Sequence, residues 1–112
     1  MKSSESQARF PGVLKTGDGS SAVVAMEIAA SEAAGAYTIT PATKMGEGWI
    51  NSAGRGARNV NGRSLISYEP EGEHAAAGVT AGLSMVGLRS TNFSSGQGVA
   101  YMHESLYAAV GK

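Results

Sequence analysis

The sequence predicts an α/β protein, a doubly wound parallel sheet with helices on both faces. Three observations carry this. Short β-prone runs alternate with longer helical patterns, about four times along the chain. Each run leads into Gly, Ser, Thr, Asp or Pro residues of the kind that turn a chain and open a helix. At 112 residues the chain has the length of one small domain with a real core, and no sequence repeat accompanies the rhythm.

The elements follow in order. Met1–Arg9 is polar and reads as a flexible lead-in, so the domain is assigned to residues 10–112. Val13-Leu14 reads as the end of a first strand, and Gly17-Asp18-Gly19-Ser20 as a turn with capping residues. Ser20–Ala34 is rich in alanine and reads as a helix covered on most sides, with Gly35 closing it. Ala36-Tyr37-Thr38-Ile39 is a second β-prone run. Thr40 then reads as an N-cap with Pro41 at the first helical position, opening a helix to about Ser52 that Gly46 and Gly48 weaken. Residues 54–62 are a loop and Ser64–Tyr68 a third strand. Gly72–Leu88 is the clearest helix, Arg89–Phe93 the next strand, Ser94–Gly98 a turn and Val99–Val110 the last helix. Val99, Met102, Leu106 and Ala109 line one side of that helix. In such sheets ligands bind beyond the carboxyl ends of the strands. That places interest on residues 16–19, 38–41, 68–73 and 94–98.

Composition narrows the function. Hydrophobic residues make up 42% and charged residues 16% of the chain, where about 25% charged is usual. Either part of the surface is covered by other protein or an alanine-rich core sits under a Ser/Gly surface. Lys plus Arg equals Asp plus Glu at nine each, so no overall charge draws the chain to nucleic acid or a membrane surface. Arg55, Arg58 and Arg63 form a small basic cluster that reads as a solvated loop rather than a phosphate site. Cysteine is absent, which excludes a disulfide, a thiolate zinc site or an iron–sulfur cluster on this chain. His74 and His103 are too few for a histidine metal site, so no metal is assigned to the chain. The N-terminus lacks the apolar core of a signal peptide. The longest apolar stretch, the 14 residues Ala75–Leu88, is too short to span a bilayer and reads as a buried helix. The expected setting is cytoplasmic.

Few residues carry chemistry. Gly17-x-Gly19-x-x-Ala22 superficially fits a dinucleotide fingerprint, but no acidic residue ends the second strand, and a glycine-rich cap is the better reading. Glu69, Glu71 and Glu73 alternate over a strand end and a helix start. Carboxylates there interact favourably with the helix dipole, which explains them without function. Beside the small-residue helix Ala75–Gly82, however, a carboxylate such as Glu73 can be desolvated and share a proton with a ligand nitrogen. Gly78 and Gly82 share a face of that helix, pointing to close approach by a backbone or ligand, or to tight packing on the sheet.

Four stretches together resemble a known family. They are Gly17–Ala25, Ala36–Glu47 with its Tyr37-Thr38-Ile39-Thr40-Pro41 core, Glu71-Gly72-Glu73 with Gly78, Gly82 and Gly87, and Thr91–Gly98. In that order and spacing they resemble the first domain of pyruvate:ferredoxin and related 2-oxoacid:ferredoxin oxidoreductases, over roughly Lys15–Gly111. The resemblance implies a thiamine diphosphate-binding fold, specifically an incomplete pyrimidine-binding module. It implies that Glu73 is the catalytic and cofactor-binding glutamate. That residue hydrogen-bonds an aminopyrimidine nitrogen and promotes the imino tautomer that deprotonates the thiazolium carbon. It also implies that Thr40 contacts the substrate carboxylate and that Gly96 and Gly98 shape the cofactor wall. Thr38 stands where the family often has proline, and Thr43-Lys44 replaces small and proline residues, so Lys44 is a candidate for altered substrate preference.

The family's domain is longer, and its substrate arginine lies beyond the matched positions. The chain is therefore expected to act as a subunit or fragment of an oligomeric oxidoreductase and to be inactive alone. Its thiamine diphosphate would be shared with a partner domain, with Mg2+ and iron–sulfur clusters only on partner domains or subunits. Pyruvate-like 2-oxoacid, coenzyme A and ferredoxin are partners of the complex, with neither nucleic acid nor membrane. The alternatives are a non-catalytic α/β interaction module that keeps the fold, and a small nucleotide-binding domain.

Overall fold

The computed structural model describes residues 8–111, so most of the lead-in assigned to Met1–Arg9 lies outside the described residues. Three short strands, β1 (Ala33–Gly35), β2 (Ile66–Tyr68) and β3 (Ser90–Thr91), form a parallel sheet in the order β2-β1-β3. Around it lie α1 (Gly19–Ala30), α2 (Thr43–Gly54), α3 (Glu73–Met85), α4 (Gly96–Tyr101) and α5 (His103–Val110). The expected class, α/β with a parallel sheet between helices, is what the chain adopts.

The centre of the sheet is built from the smallest residues of the chain. Ala33, Ala34, Gly35 and Ala36 are all buried. Successive side chains of a strand point to opposite faces. On one face Ala34 and Ala36 join Trp49 of α2, Leu65 and Phe93 in the apolar core. The Trp49 and Phe93 rings lie 6.3 Å apart, and the Trp49 indole N–H donates to the Ile66 carbonyl at 3.1 Å. On the other face a Cβ built on Gly35 would stand 2.7 Å from Val79 Cγ1 of α3. The Thr80 hydroxyl of α3 also donates to the Gly35 carbonyl, at 2.9 Å. Helices thus press on both sides of β1, and only small residues fit there.

That packing corrects several expectations. The β-prone Ala36–Ile39 run is not the strand. Pairing falls three residues earlier, because burial between two helices outweighs the intrinsic preference of Tyr, Thr and Ile. Gly35 is a strand residue, and α1 ends instead at Ser31, whose amide donates to the Glu27 carbonyl at 2.7 Å and whose hydroxyl donates to the Glu27 carboxylate at 2.5 Å. Val13-Leu14 forms no strand and is exposed, so the described sheet has three strands. Helix α1 is not covered on most sides: only Val24 is buried, against Gly48 of α2, while Val23 and Met26 are exposed. Likewise α3 is a one-sided helix with Ala76 and Ala77 buried and Met85 exposed, not a fully buried one.

Helix α2 starts at Thr43, after a turn in which the Ala42 amide donates to the Ile39 carbonyl at 2.7 Å. Thr40 is therefore not its N-cap and Pro41 lies outside it, joined to Thr40 by a cis peptide bond. The last helix is interrupted at Met102 and becomes α4 and α5. The apolar side expected for it is real: Val99, Met102, Leu106 and Ala109 face α3 across a groove of about 860 Å3. No helix of the described residues is long and apolar enough to cross a membrane.

Candidate functional site

The strand order places a crossover switch at β1. Helix α2 leads from β1 to β2 on one side, and α3 returns across β1 to β3 on the other. In such sheets the crevice beyond the carboxyl ends of the strands at that switch is where ligands bind. Three segments meet there: residues 36–42 after β1, 69–72 after β2 and 92–95 after β3.

The three glutamates at this end separate into different environments. Glu69 is bound to the chain itself, its Oε2 accepting from the Thr38 hydroxyl at 2.8 Å and the Thr38 amide at 3.3 Å. It fastens the end of β2 to the end of β1, and the Thr38 methyl packs over Gly46 of α2, where a Cβ would lie 2.9 Å away. Glu71 is exposed. Glu73 is half-buried in the first turn of α3 and takes part in neither of the salt bridges found among the described residues.

Glu73 meets α4 at Gly98. A Cβ built on Gly98 would lie 2.9 Å from Glu73 Cγ and 1.9 Å from Ser94 Oγ. Glu73 and Gly98, separately expected at the site, are therefore in contact. Gly96 is exposed, with nothing within 4 Å of a built Cβ. Thr40 is exposed on the loop after β1, at the same end of the sheet.

Two site features were not recognised from sequence. Asn92 Oδ1 and Ser94 Oγ are buried without a hydrogen-bond partner, and both residues line the groove between α3 and α5. Buried polar atoms are nearly always paired, so orphaned ones at a crevice are a property of a place that receives another polar group. Their sequence signal, Asn92 and Ser94 in a strand-end turn, is too common to single them out.

Other candidates are absorbed by the fold. Asp18 is the N-cap of α1, accepting from the Ser21 amide at 2.8 Å, and among the described residues no strand precedes it, which argues against the dinucleotide reading. Its carboxyl is held well below the usual carboxylate range by the Lys44 ammonium and the Ser21 amide. Lys44 itself is thus committed to Asp18. The Arg55, Arg58 and Arg63 side chains point to Ser52, the Gly62 carbonyl and Glu32 respectively, as a solvated loop requires. Gly78 and Gly82 are exposed, with no atom within 4 Å of a built Cβ, so neither marks a close approach by another part of this chain; Gly35, packed against Val79 and Thr80, does. His74 turns from Glu73 toward α5, where its Nδ1 lies 3.1 Å from the Ser105 hydroxyl. Among the described residues no three His, Cys, Asp or Glu side chains converge as a metal-binding group.

Comparison with known proteins shows the family. Residues 25–112 match the family model described as pyruvate flavodoxin/ferredoxin oxidoreductase, thiamine diphosphate-binding. The chain is 31% identical over 103 residues to a pyruvate-flavodoxin oxidoreductase of Enterobacter agglomerans, covering 92% of this chain and 9% of that protein. It is 34% identical over 98 residues to the pyruvate:ferredoxin oxidoreductase of Moorella thermoacetica, covering 88% and 8%. It is 39% identical over 77 residues to a ketoisovalerate oxidoreductase subunit of Pyrococcus furiosus, covering 68% and 18%. The chain thus spans about a tenth of the length of the first two relatives. With the sheet order, the crevice and the matched residues in agreement, the chain belongs to the thiamine diphosphate-binding domain family of the pyruvate flavodoxin/ferredoxin oxidoreductases.

Proposed function

We propose that this chain supplies the aminopyrimidine side of a thiamine diphosphate site in a 2-oxoacid oxidoreductase, with Glu73 as the carboxylate that activates the cofactor. The observation that carries the reading is the position of Glu73. It is half-buried at the N-terminus of α3, over the strand ends, and packed on Gly98. The residues fit a flat ring with both donors and acceptors. The orphaned Asn92 and Ser94 oxygens supply polar partners and the groove they line supplies room, while Glu73 supplies the charge.

Bound thiamine diphosphate supplies a nucleophilic carbon for attack on a 2-oxoacid carbonyl. Glu73 holds a proton against a ring nitrogen, as a general acid–base group near its target does. Glu73 is preferred to Glu69 because Glu69 Oε2 is already bonded to the Thr38 hydroxyl and amide. Thr40, exposed beside the crevice, is the candidate for the substrate carboxylate. The diphosphate, Mg2+ and the electron-carrying clusters are assigned to other domains or subunits of a cytoplasmic complex that takes a pyruvate-like acid, coenzyme A and ferredoxin. The relatives' names vary in both oxoacid and acceptor.

The test is made on the assembled oxidoreductase. Glu73→Gln keeps the shape of the side chain and removes its charge. It should slow deuterium exchange at the thiazolium carbon by about a hundredfold or more, with assembly intact. An unchanged exchange rate would sink the assignment.

A further inference from the structure

We propose that Gly98 is a positioning residue: the space left by its missing side chain holds Glu73 in one rotamer and so fixes where the carboxylate points. Gly98 is buried in α4, with its amide donating to the Ser95 side chain at 3.5 Å. Its backbone does not adopt a positive φ, so conformation does not demand glycine there. Glycine is a poor helix former, and something other than the helix must account for it. Space does. A built Cβ would lie 2.9 Å from Glu73 Cγ, 1.9 Å from Ser94 Oγ and 3.3 Å from Ser94 Cβ. Gly96, two positions earlier in the same helix, has nothing within 4 Å.

The two neighbours can respond differently to a methyl group at position 98. The Ser94 hydroxyl is the tip of its side chain and can rotate to another staggered position. Glu73 Cγ is in mid-chain, and moving it means changing χ1. Side chains occupy staggered wells, so a change of χ1 swings the carboxylate as a whole from one direction to another. A residue that touches no ligand would thus decide which way the acid faces. The functional half of this inference rests on the role proposed for Glu73; the geometric half does not.

The experiment separates the two halves. In the 112-residue chain, NMR χ1 couplings of Glu73 and the cross-peak between Glu73 Hγ and the Gly98 α-protons report the rotamer and the contact directly. The wild type and Gly96→Ala should both show the cross-peak and a single Glu73 rotamer. Gly98→Ala should shift the couplings to a different well. The double variant Gly98→Ala/Ser94→Ala removes the closer clash and should still show the shifted couplings. A wild type with averaged couplings or no cross-peak overturns the inference, whether or not the variants fold. So do unshifted couplings in either folded variant. In the assembled oxidoreductase, Gly98→Ala should slow thiazolium deuterium exchange by about a hundredfold, as a misdirected group does. Wild-type exchange in Gly98→Ala beside slowed exchange in Glu73→Gln overturns positioning alone. Wild-type exchange in Glu73→Gln overturns the role of Glu73 and leaves the NMR result standing.

Discussion

Asp18 and Lys44 are 26 positions apart in sequence and bonded across the start of α1 and α2. The carboxyl of Asp18 is depressed chiefly by the Lys44 hydrogen bond and then by the Ser21 amide. A carboxyl lowered in the folded state contributes stability above its unfolded pKa, about 3.9, and loses it as pH falls toward the folded value. Asp18→Asn should therefore leave the slope of stability against pH unchanged from neutrality to about pH 5 and flatten it below pH 4. Urea midpoints measured across that range check this, and equal acid limbs for both proteins would refute it. Both groups are exposed, so salt should shrink the difference. At this scale the sequence was legible where chemistry is local. The cap at Asp18 follows from its neighbours, and the helix start near Glu73 from the small-residue run behind it. The Lys44, Gly98 and Thr38 contacts were illegible because each joins segments brought together only by the fold.

Helices and strands were legible to the extent that their own periodicity decides them. All four expected helical regions exist, with ends moved by a few residues where caps differ. The central strand was misplaced because β1 is chosen by what fits between α2 and α3, and that information resides in Trp49 and Val79 rather than in β1. Two glycines make the point quantitatively. Gly35→Ala places a methyl 2.7 Å from Val79 Cγ1 and should destabilise the chain by about 1–3 kcal/mol through overpacking. Gly78→Ala, in the interior of α3 with open space around it, should stabilise it by about 1 kcal/mol. Opposite signs in chemical denaturation are the expected outcome. A destabilised Gly78→Ala would mean that the groove beside α3, which Gly78 lines, is filled in solution.

For the molecule as a whole, the parallel architecture was legible from the alternation of elements, while the number of strands was not, since two apolar residues at Val13-Leu14 look alike whether paired or exposed. The crevice presents a carboxylate, small polar groups and an apolar groove, with no converging metal-ligating cluster among the described residues. If the diphosphate is held elsewhere in the oxidoreductase, the 112-residue chain alone should bind thiamine diphosphate no tighter than about millimolar, worth roughly 4 kcal/mol. Micromolar heat signals in titration calorimetry would contradict this.

The strand order has a consequence for synthesis. Of the three described strands, β1 is made first and is the central one, and β2 and β3 are added on either side of it. Ala33 waits for Ile66 and then for Ser90 before its two edges are closed. At about 5–20 residues per second a ribosome needs seconds to deliver the first of these partners. The sheet therefore grows outward in the order of translation, each new strand meeting an edge already present. During that interval the alanines of β1 are the least sticky residues that could be left exposed.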